Sequence, residues 1–295
     1  MARFSQYLLA LLPLVAHVKA ASYSLSDNFV GPSFLTEFAV LNIADPTHGR
    51  VNYVDAATAR SQNLTYASGD TFILRSDSST VLSPSGPGRN SVRLQSNKQF
   101  GTSVMIQYPP HATRLRGVND QGPNHATLHT SSGCVMPAQR EQTGTSLQLD
   151  CDVAVNGNAG CGVQLPQANS YGPPFNANGG GWYAVERTDS FIKVWFWARN
   201  DAAVPADVRN SATSVNTDSW GTPVAFFPTT ASCSIAEKFG PHNIIINLTF
   251  CGDWAGQDAI FSNAGCPGTC VDYVNNNPAA FAEAYFDFAS AKVYQ

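Results

Sequence analysis

The sequence predicts an all-β protein: one sandwich of short strands joined by long loops. Only 13% of its 295 residues are charged, roughly half the usual share. Its 23 glycines and 18 prolines are scattered without a period, and 11% of the residues are aromatic. Low charge, frequent turn formers and many aromatic residues favour short strands over long amphipathic helices.

Residues 1–20 have the pattern of a secretory signal peptide. Arg3 gives a basic start, residues 7–15 are apolar, and Val18 and Ala20 mark a cleavage site. The apolar run is too short to span a membrane, and a buried N-terminal helix is the alternative. We therefore expect a secreted, extracellular protein with one domain over residues 21–295.

The net charge argues against a polyanionic partner. Cleavage after Ala20 would remove Arg3 and Lys19, which lowers the net charge from −4 to −6. Nucleic-acid binding needs clustered Lys and Arg to neutralise phosphates. The sequence therefore favours a neutral ligand and no nucleic-acid or membrane partner.

Seven cysteines follow residue 20: Cys134, Cys151, Cys161, Cys233, Cys251, Cys266 and Cys270. In a secreted protein such cysteines are expected to form disulfides, and their spacing offers no paired CxxC sets for zinc. The odd number means that one cysteine is free or lacks its intended partner. Asn63 and Asn247 begin N-x-Thr sequons and are candidate glycosylation sites, although Asn247 follows a very apolar run.

Strands are predicted where apolar or alternating runs lie between turn signals. The predicted strands are residues 71–75, 91–95, 126–130, 243–250 and 284–294. Residues 182–187 and 191–199 flank Thr188-Asp189-Ser190 and are predicted to form a hairpin. One helix is indicated, with Asn277 as N-cap, Pro278 at the first position and residues 279–284 following.

The second arm of this hairpin alternates between two kinds of side chain. One face carries Ile192, Val194 and Phe196 and is expected to join the core. The other carries Lys193, Trp195, Trp197 and Arg199 and is expected to form an aromatic and basic surface.

Two loops, residues 169–182 and 251–256, mix aromatic residues with Gly and Asn. Flat aromatic faces and planar amides suit sugar rings and their hydroxyls, so these loops favour a glycan groove. Trp254 is the candidate platform. The alternative is a tryptophan that caps the core beneath a disulfide.

His125 and His129 stand four residues apart, but no Glu lies between them and their neighbours favour a strand. We therefore expect no metal site there. His129 would either bond a substrate or carboxylate, or be structural. The chain contains no GxSxG, P-loop or dinucleotide motif, so serine-hydrolase and nucleotide-enzyme functions have no support.

A family resemblance rests on seven stretches: residues 23–29, 45–54, 83–93, 117–130, 169–195, 250–256 and 265–278. They resemble glycoside hydrolase family 16, specifically its secreted fungal endo-1,3(4)-β-glucanases, or laminarinases. The resemblance implies a concanavalin A-like β-jelly-roll sandwich whose concave face holds β-1,3 or mixed β-1,3-1,4-glucan. It also implies a retaining mechanism with no cofactor or catalytic metal. We expect a monomer whose partner is β-glucan polysaccharide or oligosaccharide.

The resemblance further implies two catalytic carboxylates on a strand with the pattern Glu-x-Asp-x-x-Glu, directly before residues 117–120. Between Val92 and Val118, however, the sequence contains no Asp or Glu, and it contains Pro109-Pro110. Consecutive prolines do not fit a central strand, and the stretch is too short for the family's strands and Trp-rich loop. The family segment usually contributes a cysteine, which would explain the odd number. The sequence therefore predicts a sandwich that lacks one or more central strands.

No catalytic residue is assigned, because no position matches the family's acids. Arg93, His129 and Trp254 are carried over by motif position as substrate contacts, and Glu186 is expected to line the groove or be structural. Three interpretations follow: a mis-spliced version of an active glucanase, an inactive relative that binds glucan, or a hydrolase with relocated acids. The sequence favours the first, because residues 98–116 interrupt an otherwise well-matched chain.

Overall fold

The structure, a computed structural model, describes residues 21–108, 111–112 and 123–295. The predicted signal peptide, the Pro109-Pro110 pair and residues 113–122 lie outside the described residues. Among the described residues, no helix combines the length and the apolar character needed to cross a membrane.

The described residues form mainly strands, as predicted. In chain order these are β1 (Ser22–Phe29), β2 (Phe38–Val40), β3 (Val51–Tyr53), β4 (Thr65–Ser68), β5 (Thr71–Arg75), β6 (Arg89–Ser91), β7 (Arg93–Phe100), β8 (Ser103–Tyr108), β9 (His111–Ala112), β10 (His125–Leu128), β11 (Thr145–Ser146), β12 (Cys161–Gln164), β13 (Gly181–Arg187), β14 (Phe191–Ala198), β15 (Ser214–Asn216), β16 (Ala225–Pro228), β17 (His242–Asn247), β18 (Tyr285–Phe288) and β19 (Ser290–Tyr294).

The helices are short. They are α1 (Phe34–Glu37), α2 (Ala56–Ser61), α3 (Gly172–Ala177), α4 (Ala206–Arg209), α5 (Ile235–Lys238), α6 (Gly252–Ala255), α7 (Asp258–Asn263) and α8 (Cys270–Asn276). The predicted helix after Asn277 is a 3₁₀ turn over Pro278–Phe281, and the Asn277 side chain does not cap it.

The strands build two layers. A large antiparallel sheet has the order β15-β1-β19-β8-β13-β14-β16. We call the smaller sheets that pack on one of its faces the second layer; they are β17-β7-β2, β4-β5-β18-β9 and β10-β12-β11. Phe72 and Leu74 of β5 and Leu94 of β7 are buried against Val293 of the large sheet. This is a β-sandwich of the jelly-roll type, as predicted.

The last predicted strand, residues 284–294, is two strands. β18 pairs with β5 in the second layer, whereas β19 pairs with β1 and β8 in the large sheet. The backbone N–H of Ala289 donates to the Tyr108 carbonyl at this crossing. The chain therefore changes layer between two strands whose sequences alternate alike.

The hairpin prediction is confirmed, with β13 and β14 paired from Gly181–Ala198 to Arg187–Ile192. The prediction of an aromatic surface on β14 is wrong. Trp195 and Trp197 are only 3% and 6% exposed, and Trp220 packs edge-on against both rings, with centroids 5.2 and 5.6 Å away. Val204, Val208 and Val215 join this cluster, so residues 204–220 bury the second face of the large sheet as well.

Three disulfides join Cys134 to Cys233, Cys151 to Cys161, and Cys251 to Cys270. Cys266 lies outside these bonds. The cysteines therefore form disulfides as predicted, and the odd one is identified.

Candidate functional site

Arg93 lies at the start of β7 and is half-buried, while the next residue, Leu94, is fully buried in the core. Because side chains alternate along a strand, Arg93 points away from the large sheet. We call this outer face of the second layer its open face. Asn247 of β17 stands opposite it in the register. The Arg93 Nε is buried and has no hydrogen-bond partner among the described residues.

Tyr53 connects this position to the loop that follows β2. The Arg93 guanidinium carbon lies 5.9 Å from the Tyr53 ring centroid. Asn247 Nδ2 donates to the Tyr53 hydroxyl at 2.9 Å, and that hydroxyl donates to Asp45 Oδ1 at 3.4 Å. Burial raises the pKa of Tyr53, so the phenol stays protonated and can donate.

Asp45 organises the loop of residues 45–49. Its Oδ2 accepts hydrogen bonds from the Gly49 N–H at 2.9 Å and from the hydroxyls of Thr47 at 2.6 Å and Thr249 at 3.0 Å. Burial opposes ionisation of Asp45, but these hydrogen bonds outweigh it and hold the pKa of the carboxyl below its ordinary value. A charged Asp45 therefore fixes the loop against residues near Thr249.

The same loop supports α6, the helix that carries Trp254. The Asp253 N–H donates to the Thr47 carbonyl at 2.9 Å, and His48 Nδ1 lies 3.0 Å from Asp253 Oδ1. The Cys251–Cys270 disulfide ties the start of α6 to α8. Trp254 itself is 56% exposed. This exposure excludes a tryptophan that caps the core. Through Tyr53, Asp45 and Thr47, a connected set of contacts joins Arg93 to the helix that carries Trp254.

His129 belongs to another part of the second layer. It follows β10, is exposed, and its Nδ1 lies 2.8 Å from Asn158 Oδ1. The nearby Gly160 has φ +65°, and a Cβ there would approach the His129 ring to 2.8 Å. Among the described residues no cluster of three His, Cys, Asp or Glu side chains could hold a metal ion.

Glu186 lies away from the open face. It is 1% exposed and accepts hydrogen bonds from the Tyr23 hydroxyl at 2.8 Å and the Thr217 hydroxyl at 2.9 Å. On β13 it follows Trp182 and Ala184, which belong to the cluster beneath Trp220. Burial and the bond to Glu186 raise the pKa of Tyr23. Glu186 therefore has a structural position, which is one of the two expectations for it.

The two sequon asparagines differ. Asn63 is exposed and has φ +54° after α2. Asn247 is half-buried, and its Nδ2, the atom that would carry a glycan, donates to Tyr53. The network of Asp45, Tyr53 and Asn247 was not found from the sequence, because its members are far apart in the chain.

The family model of the XgeA-like catalytic GH16 domain matches residues 38–112 and 115–294. The chain is 39% identical to a probable glycosidase of Schizosaccharomyces pombe, covering 94% of this chain and 70% of that protein. It is 36% identical to a probable endo-1,3(4)-β-glucanase of Aspergillus clavatus, covering 94% of this chain but only 47% of that protein.

Among solved structures, laminarinase 16A of Phanerochaete chrysosporium, with two β-glucans in donor and acceptor sites, is 58% identical. It matches with a TM-score of 0.91 over 93% of this chain and 100% of that chain. An elongating family 16 β-1,3-glucosyltransferase is 32% identical, with a TM-score of 0.83 over 92% of this chain and 100% of that chain.

Proposed function

Because the chain belongs to glycoside hydrolase family 16, we propose that it recognises β-1,3 or mixed β-1,3-1,4-glucan outside the cell, on the open face of its second layer. Arg93, Trp254 and His129 are the proposed contacts. The observation that carries this proposal is the exposed Trp254, held on the same network as Arg93.

Each proposed contact suits a neutral sugar. A ring stacked on Trp254 would exchange water-exposed apolar surface for C–H contact with an indole face. Arg93 is only half-buried beside the Tyr53 ring, and a guanidinium carries several N–H donors for sugar hydroxyl oxygens. The imidazole of His129 is exposed and positioned by Asn158. The Asp45 hydrogen bonds hold the Trp254 side of this face in place without a ligand.

We further propose that this chain binds glucan without hydrolysing it. A retaining glycosidase needs two carboxyl groups about 5–5.5 Å apart, one as nucleophile and one as acid and base. The sequence between Val92 and Val118 supplies no carboxylate, and Glu186 is enclosed on the other side of the large sheet.

Endo-hydrolysis is the second candidate, favoured by the names of the curated endo-1,3(4)-β-glucanases. The chain spans 47% and 49% of those two relatives.

Isothermal titration with laminarin tests the binding proposal. Trp254→Ala is expected to weaken binding about tenfold, which corresponds to about 1.4 kcal/mol. Val135→Ala is the control, because Val135 is 41% exposed, lies beside the Cys134–Cys233 disulfide and is not one of the proposed contacts. Laminarin affinity that is unchanged by Trp254→Ala, or equally reduced by Val135→Ala, contradicts the proposal.

A further inference from the structure

The chain contains two Asn-Gly sequences, Asn156-Gly157 and Asn178-Gly179. In such a pair the glycine nitrogen can attack the asparagine Cγ, because glycine has no side chain to block the approach. The N–Cγ bond forms, the Cγ–Nδ2 bond breaks, and ammonia leaves with the proton of the glycine N–H. Water then opens the resulting succinimide at either carbonyl and gives aspartate or isoaspartate. The reaction is favoured where the asparagine is accessible and the glycine N–H forms no hydrogen bond.

Asn156 and Gly157 meet both conditions. They lie in the loop that the Cys151–Cys161 disulfide closes, and both are exposed. In the part of the chain that the structure describes, neither the Asn156 side chain nor the Gly157 N–H forms a hydrogen bond. A Cβ built on Gly157 would have no neighbour within 4 Å. The Asn156 side chain can therefore turn toward the glycine nitrogen without breaking a contact.

Asn178 and Gly179 have the same sequence but are held by the fold. The Gly179 N–H donates to the Asn176 carbonyl at 2.9 Å, and Asn178 Nδ2 donates to the Gly180 carbonyl at 3.4 Å. Asn178 is also half-buried at the end of α3. Attack by the Gly179 nitrogen would require both hydrogen bonds to break, so local opening must precede it. The structure thus protects this pair and leaves the first pair open.

A change at Asn156 reaches His129 through Asn158. The Asn158 N–H donates to the Val155 carbonyl at 3.0 Å, and Asn158 Oδ1 lies 2.8 Å from His129 Nδ1. Isoaspartate carries the main chain through its side-chain carbon, which adds one backbone atom between residues 156 and 157. The turn that places Asn158 against His129 cannot keep its geometry after this insertion.

We propose that Asn156 is a site of spontaneous deamidation in the folded protein, and that its isoaspartate product releases His129 from Asn158. Water is the only co-reactant. The net change replaces the side-chain amide with a carboxylate and releases ammonia. This proposal goes beyond glucan recognition and does not depend on it.

Tandem mass spectrometry tests the modification. Folded protein is incubated at mildly alkaline pH, and its fragments are analysed for a mass gain of about 1 Da at each asparagine. Asn156 is expected to deamidate about ten times faster than Asn178 in the folded protein, whereas the two should react at similar rates in the reduced, urea-unfolded chain. Equal rates in the folded protein, or no mass gain at Asn156, would overturn the proposal. A difference that persists in the unfolded chain would overturn it too, because the fold would then not be its cause.

Proton NMR of the histidine rings tests the release of His129. Anion exchange isolates the isoaspartate form, which carries one more negative charge, and the loss of a signal in His129→Gln assigns the His129 ring. Its resonance should shift in the isoaspartate form. Asn156→Asp adds the charge without the extra backbone atom and should leave the resonance near its position in the unmodified protein. An unshifted His129 ring in the isoaspartate form, or an equal shift in Asn156→Asp, contradicts the release.

Discussion

Asn247 Nδ2 donates a 2.9 Å hydrogen bond to the hydroxyl of Tyr53. This bond joins β17 to the network that reaches Asp45 and the Trp254 helix. It also occupies the atom to which a glycan would be attached in the second sequon. This hydrogen bond therefore concerns both the proposed glucan-binding face and the expected glycosylation of the chain.

The first prediction concerns glycosylation in a secreting eukaryotic host. Asn63 is exposed, so we expect a glycan there, and Asn63→Gln should lower the intact mass by one N-glycan. Asn247→Gln should cause no such loss, because Asn247 is half-buried and its Nδ2 is held against the Tyr53 hydroxyl. Mass spectrometry before and after glycosidase treatment measures both, and a glycan lost in Asn247→Gln would contradict this assignment.

The second prediction concerns Glu186 as a structural residue. Glu186→Ala leaves the hydroxyls of half-buried Tyr23 and buried Thr217 without their acceptor and should cost about 2–4 kcal/mol of unfolding free energy. Glu283→Ala, at an exposed position, is the control and should change it by less than about 0.5 kcal/mol. Urea denaturation measures both. An unfolding free energy unchanged by Glu186→Ala would show that its two hydrogen bonds contribute nothing.

The third prediction is a pH dependence that arises from Asp45. Its pKa is lower in the folded protein than the ordinary value of 3.8, so the unfolded chain takes up the proton first as the pH falls. The resulting stabilisation is present above pH 3.8 and is lost as the pH falls through the folded pKa. Asp45→Asn should remove the contribution of Asp45 to the pH dependence of the unfolding free energy. The same substitution should also lower laminarin affinity.

Unfolding free energies measured from pH 6 down to the acid transition test this, since the wild-type and Asp45→Asn curves should converge at low pH. Asp70→Asn, in an exposed turn, is the control and should leave the acid dependence as it is in the wild type. Parallel curves for the wild type and Asp45→Asn would refute the assignment.

The fourth prediction separates a buried tryptophan from an exposed one. Trp195 packs on Trp220 and its Nε1 donates to the Gly221 carbonyl at 3.0 Å, so Trp195→Ala should cost about 3–5 kcal/mol of stability. Trp254→Ala should change stability by less than about 0.5 kcal/mol and act on laminarin affinity. Thermal unfolding and laminarin titration of both variants measure these effects. A loss of stability in Trp254→Ala together with a loss of laminarin affinity in a stable Trp195→Ala would contradict the prediction.

The β13–β14 hairpin could be predicted from the sequence because a turn signal and a two-residue period are local features. The burial of Trp195 could not. A strand pattern gives two faces but does not show that the segment around Trp220 returns to cover the second one. Residues 284–294 show the same limit, because alternation continues across Ala289 while the chain changes layer.

The candidate site, too, could be predicted from the sequence only in part. Trp254, between charged Asp253 and small Ala255, was the candidate platform from the sequence, and the structure has it exposed. The helix that carries it is held by hydrogen bonds of Asp253 to Thr47 and His48. The network then continues from Thr47 through Asp45 and Tyr53 to Asn247, across about two-thirds of the chain. No spacing rule relates such distant residues, so only the folded chain reveals the network.

We propose that this chain binds β-glucan without cleaving it. The most direct measurement incubates purified protein with laminarin and records bound glucan and released reducing ends in the same sample. We expect saturable binding, with reducing ends no higher than in a protein-free blank. Reducing ends that increase in proportion to protein concentration would contradict it.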